Sequence, residues 1–288
     1  MKYAFIQEHQ DVFSVNCMCR VFGVSRSGFY EWLSRPESAR KHADRQLSGK
    51  IKQAFEDSRQ TYGTRRIQDA LDPQGQRVSR ARIGRLMRQQ GLRCKTRRRF
   101  RATTNANPSL PVAPNHLNRQ FQVAEPDRAD VGDITYGATG EGWLYLAVFL
   151  DRFSRQVVGW ALSAWMTADL GLDALQMARW RRRPGKGLLV HSDRGSQYAS
   201  GRFHALLKDQ GYVCSMSRKG NCWDNAPAES FFPTLQTELI HQRRFETREQ
   251  AKQEIFEYIE VFYNRQRKHS TLGYRTPAEF DTLHRKAA

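Results

Sequence analysis

Through the first 95 positions, apolar residues recur every three or four places. From position 129 onward they gather into short runs broken by Gly, Asp and Asn. The first pattern predicts amphipathic helices, the second buried strands alternating with helices. Residues 14–35 read as a helix-turn-helix. Val15 to Phe22 forms one short helix, Gly23-Val24 the turn, and Ser25 the N-cap of a second helix through Trp32. Spacing alone fits an ordinary helical hairpin equally well. Residues 42–57 carry Leu47, Ile51, Ala54 and Phe55 on one side. A helix over 64–71 and the turn Asp72-Pro73-Gln74-Gly75 follow. The next helix is delimited by Ser79 as N-cap and Gly91 as stop. It turns Ile83, Leu86 and Met87 inward and Arg80, Arg82, Arg85 and Arg88 outward, a face suited to lie along DNA.

Between 96 and 120 the periodicity breaks. Pro108, Pro111 and Pro114 recur among Asn, Thr and Ala, which predicts an extended linker. Beyond it, residues 129–136 form a strand carrying Asp133. Residues 143–150 and 156–162 form an antiparallel hairpin around a polar turn. A helix over 167–182, a strand over 187–191 ending at Ser192-Asp193-Arg194-Gly195, a helix over 201–210 and a strand over 212–216 come next. Then follows a helix with Phe231, Phe232, Leu235 and Leu239 on its apolar side. A last helix runs from the capping box Thr247-x-x-Gln250 to Tyr263. This is a mixed α/β layout. The domains expected are a helix-turn-helix at 1–40, a second helical DNA-binding region at 41–95, a basic, Pro-rich linker at 96–120, and an α/β core with a helical tail at 121–288.

Charge narrows the class. The formal net charge is +18 over 288 residues, and a chain so far from neutrality favours a polyanionic partner. Nucleic acid is the first reading and a membrane surface the weaker one, since no basic amphipathic helix stands out. The cations cluster at Arg93, Lys95, Arg97, Arg98, Arg99 and Arg101, at 179–186, and at 265–269 with Arg267 and Lys268. Arg20 and Arg26 would face phosphates from the first motif. No apolar run approaches bilayer-spanning length, and the N-terminus turns polar too soon for a signal peptide. Five cysteines without a C-x-x-C pair fit a reducing cytoplasm rather than a zinc finger or disulfide framework.

Three acids stand out by position. Asp133 lies within the first strand, Asp193 just past the end of the fourth, and Glu229 on a helix 35 residues further on. Asp151, beside Arg152 and Arg155, is a structural rival. Hard divalent cations prefer carboxylate oxygens, and two or three acids suffice for a pair of ions that also hold substrate phosphates. Such a pair, about 3.5–4 Å apart, clamps both oxygens of an in-line displacement at phosphorus. Each acid alone is more readily structural; converging in a strongly basic chain, they favour catalysis. His191 could steady a metal-bound water, although a histidine ending a buried strand is usually structural. Trp223 and Asn225 are candidates to meet a frayed base or to pack under the loop. Tyr136 and Tyr198 flank the acids, without the arginine and histidine set a tyrosine nucleophile would need.

The blocks Gly132-Asp-Ile-Thr-Tyr136, His191-Ser-Asp-Arg-Gly-Ser-Gln-Tyr198 and Asn225-Ala-Pro-Ala-Glu-Ser-Phe-Phe232 resemble the catalytic core of the IS-three family of insertion-sequence transposases, specifically its second-frame product, OrfB. Arg267-x-His269-x-x-Leu-Gly-Tyr274 and Thr276-Pro-Ala-Glu279 match that family's C-terminal segment, and Tyr62-Gly63 with Arg65-Arg66-Ile67 its upstream helix-turn-helix. The resemblance implies a retroviral-integrase-like, RNase H-like core with Asp133, Asp193 and Glu229 as its triad. It implies two Mg²⁺ or Mn²⁺ ions and double-stranded DNA, both terminal inverted repeats and target, as substrate. It further implies cutting and strand transfer by copy-out, paste-in, a homo-oligomer at synapsis, an upstream-frame OrfA partner, and a bacterial cytoplasmic, nucleoid-associated location. Three departures are visible: Gln236, at a position expected to contact DNA, where the family has Lys or Arg, Asp130 where it has Trp, and Pro233 four residues after Glu229. Pro233 removes the hydrogen bond to the Glu229 carbonyl at a cost of about 3 kcal/mol. That predicts a kink at Glu229 or a helix that starts late. The competing readings are a DNA-binding regulator with an inert core and a structure-selective nuclease that cuts without joining.

Overall fold

Ser25 and Ser79 adopt extended backbone and turn their hydroxyls onto free N–H groups, accepting from Gly28 N at 3.0 Å and Arg82 N at 3.3 Å. Each starts a helix where the pattern expects one. The computed structural model describes residues 1–75, 77–95, 113–116, 123–217 and 226–285, without the side chains at 74 and 226–229. It forms two compact units, Met1–Gln53 and Ala54–Ala288.

The smaller unit holds α1 (Lys2–Glu8), α2 (Val15–Phe22), α3 (Arg26–Ser34) and the start of α4 (Ala39–Asp57). Gly23 at φ +60° ends α2 in the left-handed conformation, its N–H bonded back to Arg20 O. Helix α1 is additional to the sequence reading. Its Ile6 is fully buried with Met18, Cys19 and Phe29, and Tyr3 packs on Phe29 and Trp32. Seven residues with one buried position are too few for periodicity to register.

In the larger unit, α5 (Thr64–Leu71) and α6 (Arg80–Gln89) bury Ile67, Leu71, Ile83, Leu86 and Met87. The sheet comprises β1 (Ala129–Thr139), β2 (Gly142–Asp151), β3 (Val157–Ser163), β4 (Leu189–Ser192) and β5 (Val213–Met216), in the order β3-β2-β1-β4-β5. β1, β2 and β3 are antiparallel; β4 joins β1 and β5 joins β4 in parallel. One face, with Val131, Leu146, Val148 and Leu150, packs under α9 (Ala226–Glu238) and α10 (Arg248–Glu257). The other, with Ala147, Phe149, Val158 and Val190, packs under α7 (Ala168–Arg182) and α8 (Gly201–Asp209). A Cβ on Gly159 would lie 2.2 Å from Ala174 O, so only glycine lets α7 approach β3 so closely.

Two elements depart from expectation. Helix α9 is continuous from Ala226 with Pro233 inside it, so the late start does not occur. Burial of Phe231, Phe232 and Leu235, with Phe231 edge-on to Tyr263 at 4.7 Å, outweighs the local cost of proline. The final helix ends at Glu257 and passes into a π-helical turn over Tyr258–Tyr263. That wider turn faces Tyr258, Ile259, Phe262 and Tyr263 inward together. A C-terminal helix, α11 (Pro277–Arg285), completes the chain described.

Candidate active site

Asp133 sits in β1 with its carboxylate accepting from Ile134 N at 2.8 Å. Strand alternation places it on the same face as Val131 and Thr135, the face under α9. β1 and β4 pair Ala129 with Leu189, Asp130 with Val190 and Val131 with His191. Asp193 follows directly on the end of β4, which closes at Ser192, beside the strand that carries Asp133. Asp193 Oδ1 accepts from Gly195 N at 2.9 Å. Burial pushes its carboxyl above the ordinary range, and the Gly195 N–H partly offsets this.

Glu229 belongs to α9, and its side chain lies outside the described residues. Gln236 Nε2 donates to Thr135 Oγ1 at 3.2 Å, which seats α9 on the face of β1 that carries Asp133. Glu229 lies seven residues earlier in the same helix, about 10.5 Å along its axis. Among the described residues, no three His, Cys, Asp or Glu side chains cluster to hold a metal ion. The acids available at this point of the fold present oxygen donors only, which fits a hard cation such as Mg²⁺ or Mn²⁺.

The neighbouring candidates sort by what they touch. His191 is fully buried, its ring nitrogens 2.9 Å from Ser215 Oγ and 3.1 Å from Ser217 Oγ, so it ties β4 to the β5 edge. Asp151 accepts from Ser154 N, Ser154 Oγ and Asp127 N, and closes the turn after β2. Asp130 is 4% exposed, and among the described residues its Oδ1 has no hydrogen-bond partner. Burial, then the charges of Asp151 and Asp127, push its carboxyl well above the ordinary range. Asn225 lies outside the described residues, as do Arg97, Arg98, Arg99 and Arg101.

Of the residues expected at DNA, Arg80 and Arg88 are exposed on α6, and Arg82 and Arg85 half-exposed beside them. Arg26 stands over the Tyr30 ring at 5.7 Å. Three others are placed differently. Gln236 is committed to Thr135 inside the fold. Arg267 is 5% exposed, its guanidinium gripping Glu238 from Nε at 2.9 Å and Nη2 at 2.8 Å. Tyr258 Oη donates to the same carboxylate at 2.7 Å. Lys268 pairs with Asp69 through Nζ, and its backbone N–H donates to Tyr62 Oη at 2.8 Å. The segment expected to touch DNA therefore fastens α5 and the end of α9 into one unit. Charge counting along the chain misplaces these cations because their partner acids are distant in sequence. Glu238 did carry a signal: it lies three residues after Leu235, on the buried side of its helix, where an acid requires a partner.

His269 closes this network, with Nε2 3.2 Å from Arg267 Nη1. Burial, then the charges of Arg267, Arg66 and Arg155, pushes its pKa down to about 3. Between about 3 and the unfolded value near 6.5, the unfolded chain binds the extra proton. Stability from this group is therefore present above pH 6.5 and falls as pH drops, by up to about 1.4 kcal/mol per pH unit. Thermal unfolding between pH 4 and 7 should show a shallower acid loss in His269→Gln than in wild type; equal slopes would contradict the assignment.

Two stretches match the family description "Integrase core domain", residues 123–222 and 229–283, and residues 41–100 match "HTH-like domain". The chain is 50% identical over 272 residues to "Insertion element IS600 uncharacterized 31 kDa protein" of Shigella sonnei, covering 94% of this chain and 100% of that one. It is 44% identical over 283 residues to "Transposase InsF for insertion sequence IS3A" of Escherichia coli (strain K12), covering 98% of each. The chain belongs to the IS3 family of insertion-sequence transposases. Its integrase core is the RNase H-like mixed sheet described above, preceded by HTH-like helices. Among solved structures, a simian T-cell lymphotropic virus intasome in complex with PP2A regulatory subunit B56 gamma aligns at TM-score 0.46 and 16% identity, over 74% of this chain and 70% of that one. The HTLV-2 integrase catalytic core domain in complex with magnesium aligns at 0.43 and 14%, over 56% and 99%. No described helix of this IS3-family chain is long and apolar enough to cross a membrane.

Proposed function

We propose that this chain cuts DNA at the ends of an insertion sequence and joins the freed 3′-hydroxyl ends to a target, using Asp133, Asp193 and Glu229. The observation that carries this reading is the parallel pairing of β1, which bears Asp133, with β4, whose end Asp193 follows, under the helix that bears Glu229. Two Mg²⁺ or Mn²⁺ ions held by these three carboxylates would supply the charge that activates the attacking hydroxyl and neutralises the scissile phosphate. The protein's own groups do the rest. The Gly195 N–H fixes the Asp193 carboxylate, and Thr135 with Gln236 fixes α9 over β1. Arg80, Arg82, Arg85 and Arg88 on α6 contact phosphates and set the register of the duplex. Two element ends must be cut and joined together, so the working form is a homo-oligomer on DNA, with an upstream-frame OrfA product as a further partner, acting in the bacterial cytoplasm at the nucleoid.

Labelled duplexes carrying the element's own terminal repeats, incubated with the full chain, a target plasmid and Mg²⁺, should yield joined products. Binding should also weaken linearly in log–log salt, since phosphate contacts release counterions. Cutting without joining, indifferent to the end sequence, would favour a nuclease instead.

A further inference from the structure

A groove of about 800 Å³ opens beside the turn that joins α5 to α6, and the C-terminal segment contributes Tyr274 to its wall. Its shape is set by bonds within the larger unit. Gln68 Nε2 of α5 donates to Val78 O at 2.7 Å and holds the turn against the helix. Lys268 pairs with Asp69, and Tyr62 Oη donates to Gln266 O at 3.1 Å, which fastens the C-terminal segment to α5. Tyr274 itself is placed by an unusual backbone. Gly273 and Tyr274 both take left-handed φ, +63° and +60°, uncommon for a side chain as bulky as tyrosine. Tyr274 N donates to His269 O and His269 N to Arg275 O, each at 2.9 Å, and buried Leu272 anchors the turn. A residue held in a disfavoured conformation by its surroundings points to a function for the direction of its side chain.

The other walls are cationic. Arg65 of α5, Arg77 of the turn and Arg80 at the start of α6 are exposed, and among the described residues their guanidinium groups have no carboxylate partner. Asp69 is neutralised by Lys268, which leaves Asp72 as the remaining acid of the lining against three arginines. The groove thus joins unspent positive charge to an aromatic ring. That combination is how proteins take up single-stranded nucleic acid, phosphates on the cations and a base on the ring. A duplex keeps its bases stacked on one another and offers a tyrosine no base face. The volume also lies in the range that encloses a small ligand, about 300–1,000 Å³, rather than a double helix. Arg80 belongs both to this groove and to the arginine face of α6 proposed to lie on the duplex, so the two surfaces are continuous.

We propose that this groove holds an unpaired nucleotide of the DNA substrate, its base stacked on the Tyr274 ring and its phosphates on Arg65, Arg77 and Arg80. The proposal rests on DNA being the substrate, as set out above, and not on the three carboxylates. Stacking of this kind does not select a base, so the grip is tolerant of sequence.

The test measures binding of two element-end duplexes to the full chain, one blunt and one with a short single-stranded tail carrying a fluorescent purine analogue beside the junction. Wild type should prefer the tailed duplex and quench the analogue, since stacking of one base on an aromatic side chain is worth roughly 5–150-fold. Tyr274→Leu should cut that preference by a similar factor and leave the analogue bright, and Tyr274→Phe should restore both. Arg77→Gln, on an exposed turn, should lower the preference through the lost phosphate contact. Equal affinities for the two duplexes in wild type would overturn the inference and leave DNA as the substrate. A preference undiminished in Tyr274→Leu, or in Arg77→Gln should that variant alone fold, would overturn it too. No binding of either duplex by wild type would overturn both readings.

Discussion

Asp193→Asn or Glu229→Gln is expected to lower both cutting and joining of element ends by roughly 10³-fold or more, with DNA binding unchanged or slightly tighter. The amides are nearly isosteric with the acids, so packing is preserved. On the proposed reading, what disappears is a negative charge that helps hold a cation against the scissile phosphate, and such ions supply several kcal/mol of transition-state stabilisation. Each 1.36 kcal/mol is a factor of ten in rate. Binding should persist because removing an acid from a protein of net charge +18 does not weaken its attraction for a polyanion. Single-turnover rates on labelled ends, with gel-shift affinities alongside, separate the two effects. Unchanged rates in both variants would remove these residues from the chemistry. The same assay on Asp151→Asn provides the contrast, since Asp151 spends its oxygens on the Ser154 turn.

The second large effect lies in the fold. Arg267→Met should destabilise the protein by about 3–5 kcal/mol, because it leaves the Glu238 carboxylate buried with its charge uncompensated. Both side chains are nearly inaccessible, at 6% and 8%. Against a total of about 5–15 kcal/mol for a typical domain, that is a large fraction. At about 2–4 °C per kcal/mol for a domain of this size, the midpoint should fall by roughly 6–20 °C. The double variant Arg267→Met with Glu238→Gln should recover much of the loss. It removes the buried charge while keeping an acceptor for Tyr258 Oη, and Lys95 still reaches the Glu238 carbonyl at 3.2 Å. A single variant that melts with wild type would mean Arg267 is a surface cation after all. Helix α9 ends at Glu238, so the loss should also lower the temperature at which the Glu229 helix keeps its place on β1.

Much of this was readable in the chain. The Ser25 and Ser79 caps, the Gly23 stop and the short runs of β1 to β5 are local signals, and they fall where the spacing puts them. Asp133 and Asp193 could be recognised as acids in and just after strands. That β4, which leads into Asp193, lies beside the strand of Asp133 required the parallel pairing of β1 and β4, which no single run encodes. Long-range partners were the illegible part. Arg267 reads as one more cation in a basic tail until Glu238, 29 residues away, is seen to hold it. Lys268 reads the same way until Asp69 appears, 199 residues distant. Pro233 misled about where the helix starts for the converse reason: its local cost is real, but burial of Phe231 and Leu235 holds the helix through it. In the sequence Asp130 stands out only as a departure; the structure buries it, with Oδ1 unpaired among the described residues.

The most direct test of the central claim compares two element-end duplexes that differ by one oxygen, a 3′-hydroxyl against a 3′-dideoxy terminus, in Mg²⁺ with the full chain and a supercoiled target. The account predicts covalent joining of the hydroxyl end to the target, abolished in Asp193→Asn, and none from the dideoxy end, although both duplexes bind equally. Equal joining by Asp193→Asn, or target nicking that ignores the 3′-hydroxyl, would contradict it.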